Sequence, residues 1–285
     1  MQKRLVLHLG GHKTGTSVIQ RYMRDRPEIM AKNMLGFTLR SDLQQLLGWG
    51  DPNRIATNRF EIRAKIDESF EKGCDNYFIS SENAIGRPFK GKKRLYAKAE
   101  QSLRALAEAF KGYDVTVLYY IRKQSSFLES YYLQSVHEGG STLFDDWMQD
   151  INVKHLSWAP VVNEIKEMFS ENTPVIKCFE QEISKGQRRF LESAFEIIQP
   201  GSTAENFDNF DYDAKRNISV GKKGLEIALR INPIISTPEE QILVRNFLQW
   251  NFNNTKYARP NLFTTEQAHA IDESYSAENA QLISQ

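Results

Sequence analysis

Leu9-Gly10-Gly11-His12-Lys13-Thr14-Gly15-Thr16-Ser17 stands between two stretches of opposite periodicity. Before it, residues 4–9 (RLVLHL) form a short, mostly apolar run that reads as a buried strand. After it, Val18, Ile19, Tyr22 and Met23 recur at helical spacing until Pro27 closes the segment. The chain therefore opens strand, glycine-rich turn, helix. In such a turn glycines let backbone N–H groups converge on an anion, and the helix N-terminus adds its positive dipole end. Gly10 and Gly15 have the spacing of the nucleoside-triphosphate loop G-x-x-x-x-G-K-[ST], yet Thr16 stands where that loop's lysine belongs. The lysine present, Lys13, lies two residues before the second glycine.

Outward from this stretch the alternation continues. Residues 35–40 read as a short strand, 59–72 as a helix, and 76–81 (NYFISS) as a second core strand. Leu95, Ala99, Leu103, Leu106 and Phe110 mark one face of a helix. Val115 to Ile121 (VTVLYYI) is a continuous β-branched and aromatic run, the best buried-strand candidate. A helix bearing Phe127, Leu128, Tyr131 and Tyr132 follows, then a strand at 174–179 and a helix over 186–198. Residues 200–220 are polar and read as a long loop before a helix at 222–230. Thr237-Pro238-Glu239-Glu240 combines an N-cap, a proline at the first helical position and a capping-box glutamate. The tail from Thr264 reads as a polar helix. Strands alternating with helices predict an α/β, three-layer architecture: a mostly parallel sheet with helices on both faces and ligands at the carboxyl ends of the strands.

Composition excludes little but bounds much. The 285 residues suit one domain, 1–285, with an α/β core over 1–200 and a polar, pocket-closing loop and C-terminal helices over 201–285. A formal net charge of +1 gives no global sign of a nucleic-acid partner. Two cysteines, Cys74 and Cys178, share no metal-ligand spacing with each other or with the five histidines, so no metal site is expected. No apolar run is long enough for a membrane span, and a soluble, cytoplasmic protein is expected.

Two further stretches carry chemistry. Arg122 follows the strand at 115–121, and Ser130 comes eight residues later on the next helix. An arginine at a strand end can meet a phosphate through two N–H groups, and a helix serine can add a hydroxyl. Glu82, in Ser80-Ser81-Glu82-Asn83, ends a core strand and projects toward the same edge. His12 sits in the glycine loop; His137 is a weaker candidate, and His8, within a strand, reads as structural. Lys90, Lys92, Lys93 and Arg94 form a basic run of the kind that usually lines a solvated face.

The stretch HLGGHKTGTS resembles the 5′-phosphosulfate loop of sulfotransferases that use 3′-phosphoadenosine 5′-phosphosulfate (PAPS), in which a lysine precedes Ser/Thr-Gly-Thr-Ser/Thr. YYIRKQSSFLESYY resembles the 3′-phosphate motif of the same family, and Arg216-Asn217-Ile218-Ser219 resembles the late loop of its bacterial, glycan-type members. The resemblance is dense over residues 4–135 and thin afterwards. It implies a P-loop NTPase-like sulfotransferase fold and PAPS as donor, with 3′-phosphoadenosine 5′-phosphate (PAP) as product. The donor would be held by Gly11, His12, Lys13, Thr14, Gly15, Thr16, Ser17, Arg122, Ser130, Arg216, Asn217 and Ser219. It implies Lys13 on the bridging oxygen and Glu82 as base, with His12, by its place in the loop, as the third member of the catalytic set and, with His137, an alternative base; the acceptor would be a hydroxyl- or amine-bearing glycan, lipid or small molecule. Two other readings stay open. A small-molecule kinase would need the missing loop lysine and a strand-end aspartate for Mg²⁺. A nucleotide-binding module without catalysis would bind the donor and not turn it over. For Ser219 the plain alternative is the N-cap of the helix at 222–230.

Overall fold

Five parallel strands form one sheet in the order β2-β3-β1-β4-β5: β1 (Arg4–His8), β2 (Leu35–Leu39), β3 (Asn76–Ser80), β4 (Asp114–Ile121) and β5 (Val175–Cys178). The structure is a computed structural model and describes residues 3–89, 94–171, 174–212 and 219–284. The expected α/β class with a parallel sheet between helices holds. His8 stands beside Ser80 and beside Leu118 in register, so the chain leaves β1, β3 and β4 at one common edge. From β1 the connection runs toward β2, and from β4 it runs toward β5, on opposite sides. In open α/β sheets ligands bind where the connections diverge in this way.

The helices follow from the periodicity. α1 (Thr16–Asp25) and α10 (Gln187–Ile198) cover one face, burying Ile19, Tyr22, Met23, Phe190, Leu191 and Phe195 against Val6, Phe78, Leu118 and Tyr120. α4 (Pro52–Glu71), α5 (Ala99–Ala109) and α8 (Ala159–Met168) lie side by side, α4 against β2 and β3. Between these run the short α2 (Pro27–Lys32), α3 (Arg40–Leu47) and α9 (Phe179–Ile183). Pro27 does not simply end α1; it begins α2 at a first-turn position, where its missing N–H costs nothing. Likewise α4 starts seven residues earlier than the apolar pattern suggests. Asp51 caps it by accepting from the Asn53 and Arg54 N–H groups, and Pro52 follows. The polar stretch after residue 200 is not all loop. Phe207 and Phe210 are buried and pack on Tyr22, with ring centroids 5.4 and 5.2 Å away.

The chain divides into two compact units. The first comprises Met1–Arg122, Lys154–Tyr212 and Ser276–Gln285 and contains the sheet. The second, Lys123–Val153 with Asp213–Tyr275, is helical, with α6 (Gln124–His137), α7 (Phe144–Gln149), α11 (Lys222–Ile231) and α12 (Pro238–Asn251). Its core gathers Tyr132, Leu133, Val136, Val220, Leu225, Ala228 and Leu248. The Ser125 N–H and hydroxyl are both held by the carboxylate of Asp272, on α13 (Thr265–Ile283). α12 has the expected capping box, with Thr237 and Glu240 bonding each other's backbone N–H. Cys74 and Cys178 are free thiols, and burial pushes both above the usual thiol range. Among the described residues no helix is long and apolar enough to cross a membrane.

One approach fixes how closely β4 sits to the loop after β1. A Cβ added to Gly11 would stand 2.4 Å from the Tyr120 carbonyl oxygen, and a backbone atom cannot swing aside. Gly11→Ala is therefore expected to destabilise the protein by about 1–3 kcal/mol, read as a lower midpoint in urea unfolding. An unchanged midpoint would show that the loop can draw away from β4.

Candidate functional site

The glycine loop is the C-terminal continuation of β1. Pairing runs on through Leu9, whose N–H donates to the Leu118 carbonyl at 3.2 Å. The chain then turns through three left-handed positions: Gly10 at φ 41°, Lys13 at 65° and Gly15 at 80°. Gly15 is fixed twice, since a Cβ there would also meet the Phe190 and Phe179 rings at 2.9 and 3.0 Å. Lys13 is different. A long side chain at positive φ is uncommon and costs energy, and such strain gathers at functional positions. The Thr14 hydroxyl donates to the Gly11 carbonyl at 2.5 Å, and α1 starts at Thr16. No side chain caps α1, and no acidic residue lies in its first turn. With no acidic side chain there, the first-turn N–H groups and the positive dipole end of α1 suit an anion. Thr16 is buried, and its hydroxyl makes no hydrogen bond among the described residues. Ser17, next to it, is exposed. These features fit a phosphate-type anion.

Arg122 closes the loop from behind. Its guanidinium donates to the Lys13 carbonyl at 2.5 Å, pairs with Glu180 at 3.3 Å and lies over the Phe179 ring at 5.2 Å. Its own carbonyl accepts from the Trp158 indole N–H at 2.7 Å. The sequence alone assigns Arg122 to a phosphate; the structure adds a bond that holds Lys13 in its strained conformation. Ser130 is half-buried on α6, in the other unit. Arg216 and Asn217 lie outside the described residues. Ser219 is exposed and is not the cap of α11; Gly221 occupies that position. Of the basic run, Lys90, Lys92 and Lys93 lie outside the described residues. Arg94 is no solvated cation, since it pairs with Glu164 at 2.5 Å, both half-buried.

His12 is buried, with Nδ1 2.8 Å from the Tyr96 hydroxyl and Nε2 3.0 Å from the Asn83 Oδ1. The same hydroxyl accepts the His12 backbone N–H at 3.0 Å, so its own proton is placed to donate to Nδ1 and Nε2–H to donate to Asn83. Both ring nitrogens are committed. The ring acts as a strut between the loop and the turn after β3, a poor arrangement for a base. That turn, anchored by Ser81 N–H to the His8 carbonyl at 3.1 Å, carries half-buried Glu82 next to Asn83. Glu82 is thereby held near the loop through the Asn83–His12 bond. Tyr96, Asn83, Trp158 and Glu180 were not singled out from sequence. Asn83 adjoins Glu82 and was within reach of that reading; the others bond across long separations that no spacing marks.

His8 supports the loop from the core. It is fully buried between Phe78 and Tyr120, with Nδ1 3.0 Å from the Ser80 hydroxyl, which also accepts from the Gln20 amide at 3.0 Å. Ser80 then donates to Nδ1, and the ring carries its proton on Nε2, which makes no hydrogen bond among the described residues. Nε2 and the Thr16 hydroxyl lie 3.2 and 3.0 Å from the point where a Cβ on Gly10 would stand, so both polar atoms face the small space that this glycine leaves. The expectation that His8 is structural agrees with this burial. Among the described residues no group of three or more His, Cys, Asp or Glu is arranged to hold a metal.

No protein-family profile matches the chain, and no curated protein matches it. Among solved structures, the chain is similar to a sulfotransferase from Alicyclobacillus acidocaldarius, with 12% sequence identity and a TM-score of 0.47 over 92% of this chain and 98% of that one.

Burial holds the His8 pKa down from 6.5 to about 3. Between those values the unfolded chain binds a proton that the folded chain does not. The stability tied to His8 is thus full above pH 6.5 and lost as pH falls through that window, by about 1.4 kcal/mol per unit. Urea unfolding at pH 7.5 and pH 5 is expected to show a fall that His8→Gln, which cannot ionise, reduces by about 2 kcal/mol. Equal falls in both proteins would place the acid sensitivity elsewhere.

Proposed function

We propose that the protein is a sulfotransferase that moves a sulfuryl group from PAPS to a hydroxyl acceptor. The observation that carries this reading is the loop itself. Lys13 stands before the second glycine in a left-handed conformation held by Arg122, and Thr16 occupies the place of the triphosphate-loop lysine. In this reading Gly11, Lys13, Thr14, Gly15 and Thr16 hold the 5′-phosphosulfate through backbone N–H groups, the Thr16 hydroxyl and the α1 dipole. Lys13 brings its ammonium to the bridging oxygen, where negative charge gathers as the S–O bond breaks. Glu82 takes the proton from the acceptor hydroxyl as its oxygen bonds to sulfur. His12 positions both groups through Asn83 and Tyr96 rather than exchanging a proton itself. A glycan, a lipid or a small alcohol each offers the required hydroxyl.

PAP is expected to bind without Mg²⁺ with a Kd near 1 µM, about −8 kcal/mol by isothermal titration. Tighter binding of ATP–Mg²⁺ would favour a kinase instead. With an acceptor found by a PAPS turnover screen, Lys13→Ala is expected to lower kcat by about a hundredfold or more with a smaller change in PAP affinity. Glu82→Gln should lower kcat by about 10²–10⁴-fold and remove one ionisation from the pH–rate profile. Full activity of Glu82→Gln would remove it as the base.

Arg122 and Ser130, which the family resemblance pairs on the 3′-phosphate, separate in their effects. Because Arg122 also holds the loop, Arg122→Ala should weaken PAP and AMP binding alike. Ser130→Ala should weaken PAP alone, by about 1 kcal/mol, since AMP lacks the 3′-phosphate. Loss of both ligands on Ser130→Ala would exclude the 3′-phosphate contact.

A further inference from the structure

The sheet unit carries a pocket on the far side of β3 from the glycine loop. It holds about 410 Å³ and is lined by Gln44, Gln45, Gly48, Trp49 and Arg54. Leu39 stands beside Ser80 in register, so α3 leaves β2 at the edge where the Glu82 turn leaves β3. Along that edge the order β2-β3-β1 sets the Glu82 turn between this pocket and the glycine loop. The segment that forms the pocket wall rests on the same turn. A Cβ on Gly50 would stand 2.5 Å from the Gly86 nitrogen and 2.8 Å from the Ala84 carbonyl oxygen, so the two segments meet backbone to backbone. The Ser102 hydroxyl donates to the Gly50 carbonyl and ties the segment to α5.

Trp49 is therefore shown to solvent from a rigid bracket. Gly48 and Gly50 on either side of it are both left-handed, at φ 58° and 68°, and the Gly48 N–H donates to the Gln44 carbonyl at 3.1 Å. The Arg87 guanidinium lies over the indole, 4.8 Å from the ring centroid, yet the side chain is still 42% exposed. Gln44, Gln45 and Arg54 are exposed as well. Arg54 is the charged side chain of the lining, and its stem lies along the bracket: a Cβ on Gly48 would meet the Arg54 Cδ at 3.1 Å. Two carboxylates stand near in the chain and outside this lining. They are Asp42 on α3 and Asp51, which is occupied by the Asn53 and Arg54 N–H groups as the cap of α4.

An indole, two amides and a guanidinium around one open pocket suit a sugar ring that bears an acid. The C–H face of a sugar packs on the negative π-face of an aromatic ring. Glutamine amides donate and accept, as sugar hydroxyls do. A guanidinium takes a carboxylate through two N–H groups. An aliphatic chain would desolvate these polar groups without pairing them. β2 lies two strand spacings, about 10 Å, from β1. A ligand that fills the pocket and also reaches the glycine loop is thus longer than one sugar ring. We propose that this pocket is an acceptor subsite for an acidic oligosaccharide, with one sugar on Trp49, its carboxylate on Arg54, and the reacting hydroxyl further along the chain at Glu82.

Because this assignment rests on the sulfotransferase reading, donor and acceptor are titrated separately on the full chain. Isothermal titration uses PAP, then tetrasaccharides from hyaluronan and from polygalacturonate, then the same sugars with their carboxyls reduced to alcohols, each with and without PAP. At least one acidic tetrasaccharide is expected to bind, and its reduced form to bind about tenfold more weakly or worse. Trp49→Ala should weaken the acidic sugar by about tenfold or more and leave PAP affinity unchanged. Arg54→Gln should remove the difference between the acidic and reduced forms. Both side chains are exposed, so thermal unfolding should be little altered, and if Trp49→Ala does unfold early Arg54→Gln carries the test. PAP binding with no oligosaccharide binding, or oligosaccharide binding that neither variant changes, overturns the subsite and leaves the donor reading standing. Oligosaccharide binding that both variants weaken, in a protein that does not bind PAP, overturns the sulfotransferase reading and the acceptor role together.

Discussion

The bond from the Arg122 guanidinium to the Lys13 carbonyl joins the end of β4 to the loop after β1. Lys13 needs such a partner, because nothing in its own side chain favours a left-handed backbone. Arg122 is in turn held by Glu180, by the Phe179 ring and by the Trp158 indole on its carbonyl. The segment after β5, the start of α8 and the loop therefore all meet at one residue. Gly11 lets the loop lie against the Tyr120 carbonyl, and Gly15 leaves room for Phe179 and Phe190. The loop is shaped by its surroundings as much as by its glycines.

On the other side of the loop, His12 reaches the turn after β3. Together Arg122 and His12 clamp the segment from both neighbouring strands of β1. The loop N–H groups are thereby fixed in place by the protein itself, which is the preorganisation that the proposed transfer reaction calls for. Beneath them, His8, Ser80 and Gln20 link β1, β3 and α1 through buried hydrogen bonds, with a ring that stays neutral because it is dry.

Much of the fold was legible in the sequence because its central strands, β1, β3 and β4, are buried on both faces and read as nearly continuous apolar runs. All five strands lie within a residue or two of their expected bounds, the half-exposed edge strands β2 and β5 included. Thr237-Pro238-Glu239-Glu240 gave the start of α12 because a capping box is local chemistry. The early start of α4 was missed because its first turns are polar and only Asp51-Pro52 marks them. α7 and α8 were not read at all; α7 is only six residues long, and α8 packs on α5, far back along the chain. The same holds at the site. Glycine, lysine and threonine spacing made the loop visible, whereas its supports, Tyr96 and Trp158, depend on tertiary contacts. Arg122 was legible as important but not as a strut, because a guanidinium on a backbone carbonyl leaves no trace in spacing.

The division of the chain has a consequence for how it is made. The helical unit is assembled from Lys123–Val153 and Asp213–Tyr275, with β5 and α10 of the sheet unit synthesised in between. On a ribosome α6 emerges long before α11 and α12, whose side chains bury Tyr132 and Val136. Until they arrive the apolar side of α6 is covered only in part, by Phe144 and Trp147 of α7 against Tyr132, and the rest of it is open to chaperones or to mispairing. Non-local closure of this kind carries a high loop entropy and slows folding relative to a bundle of adjacent helices. The helical unit should therefore complete late, after the strands of the sheet have had the opportunity to pair.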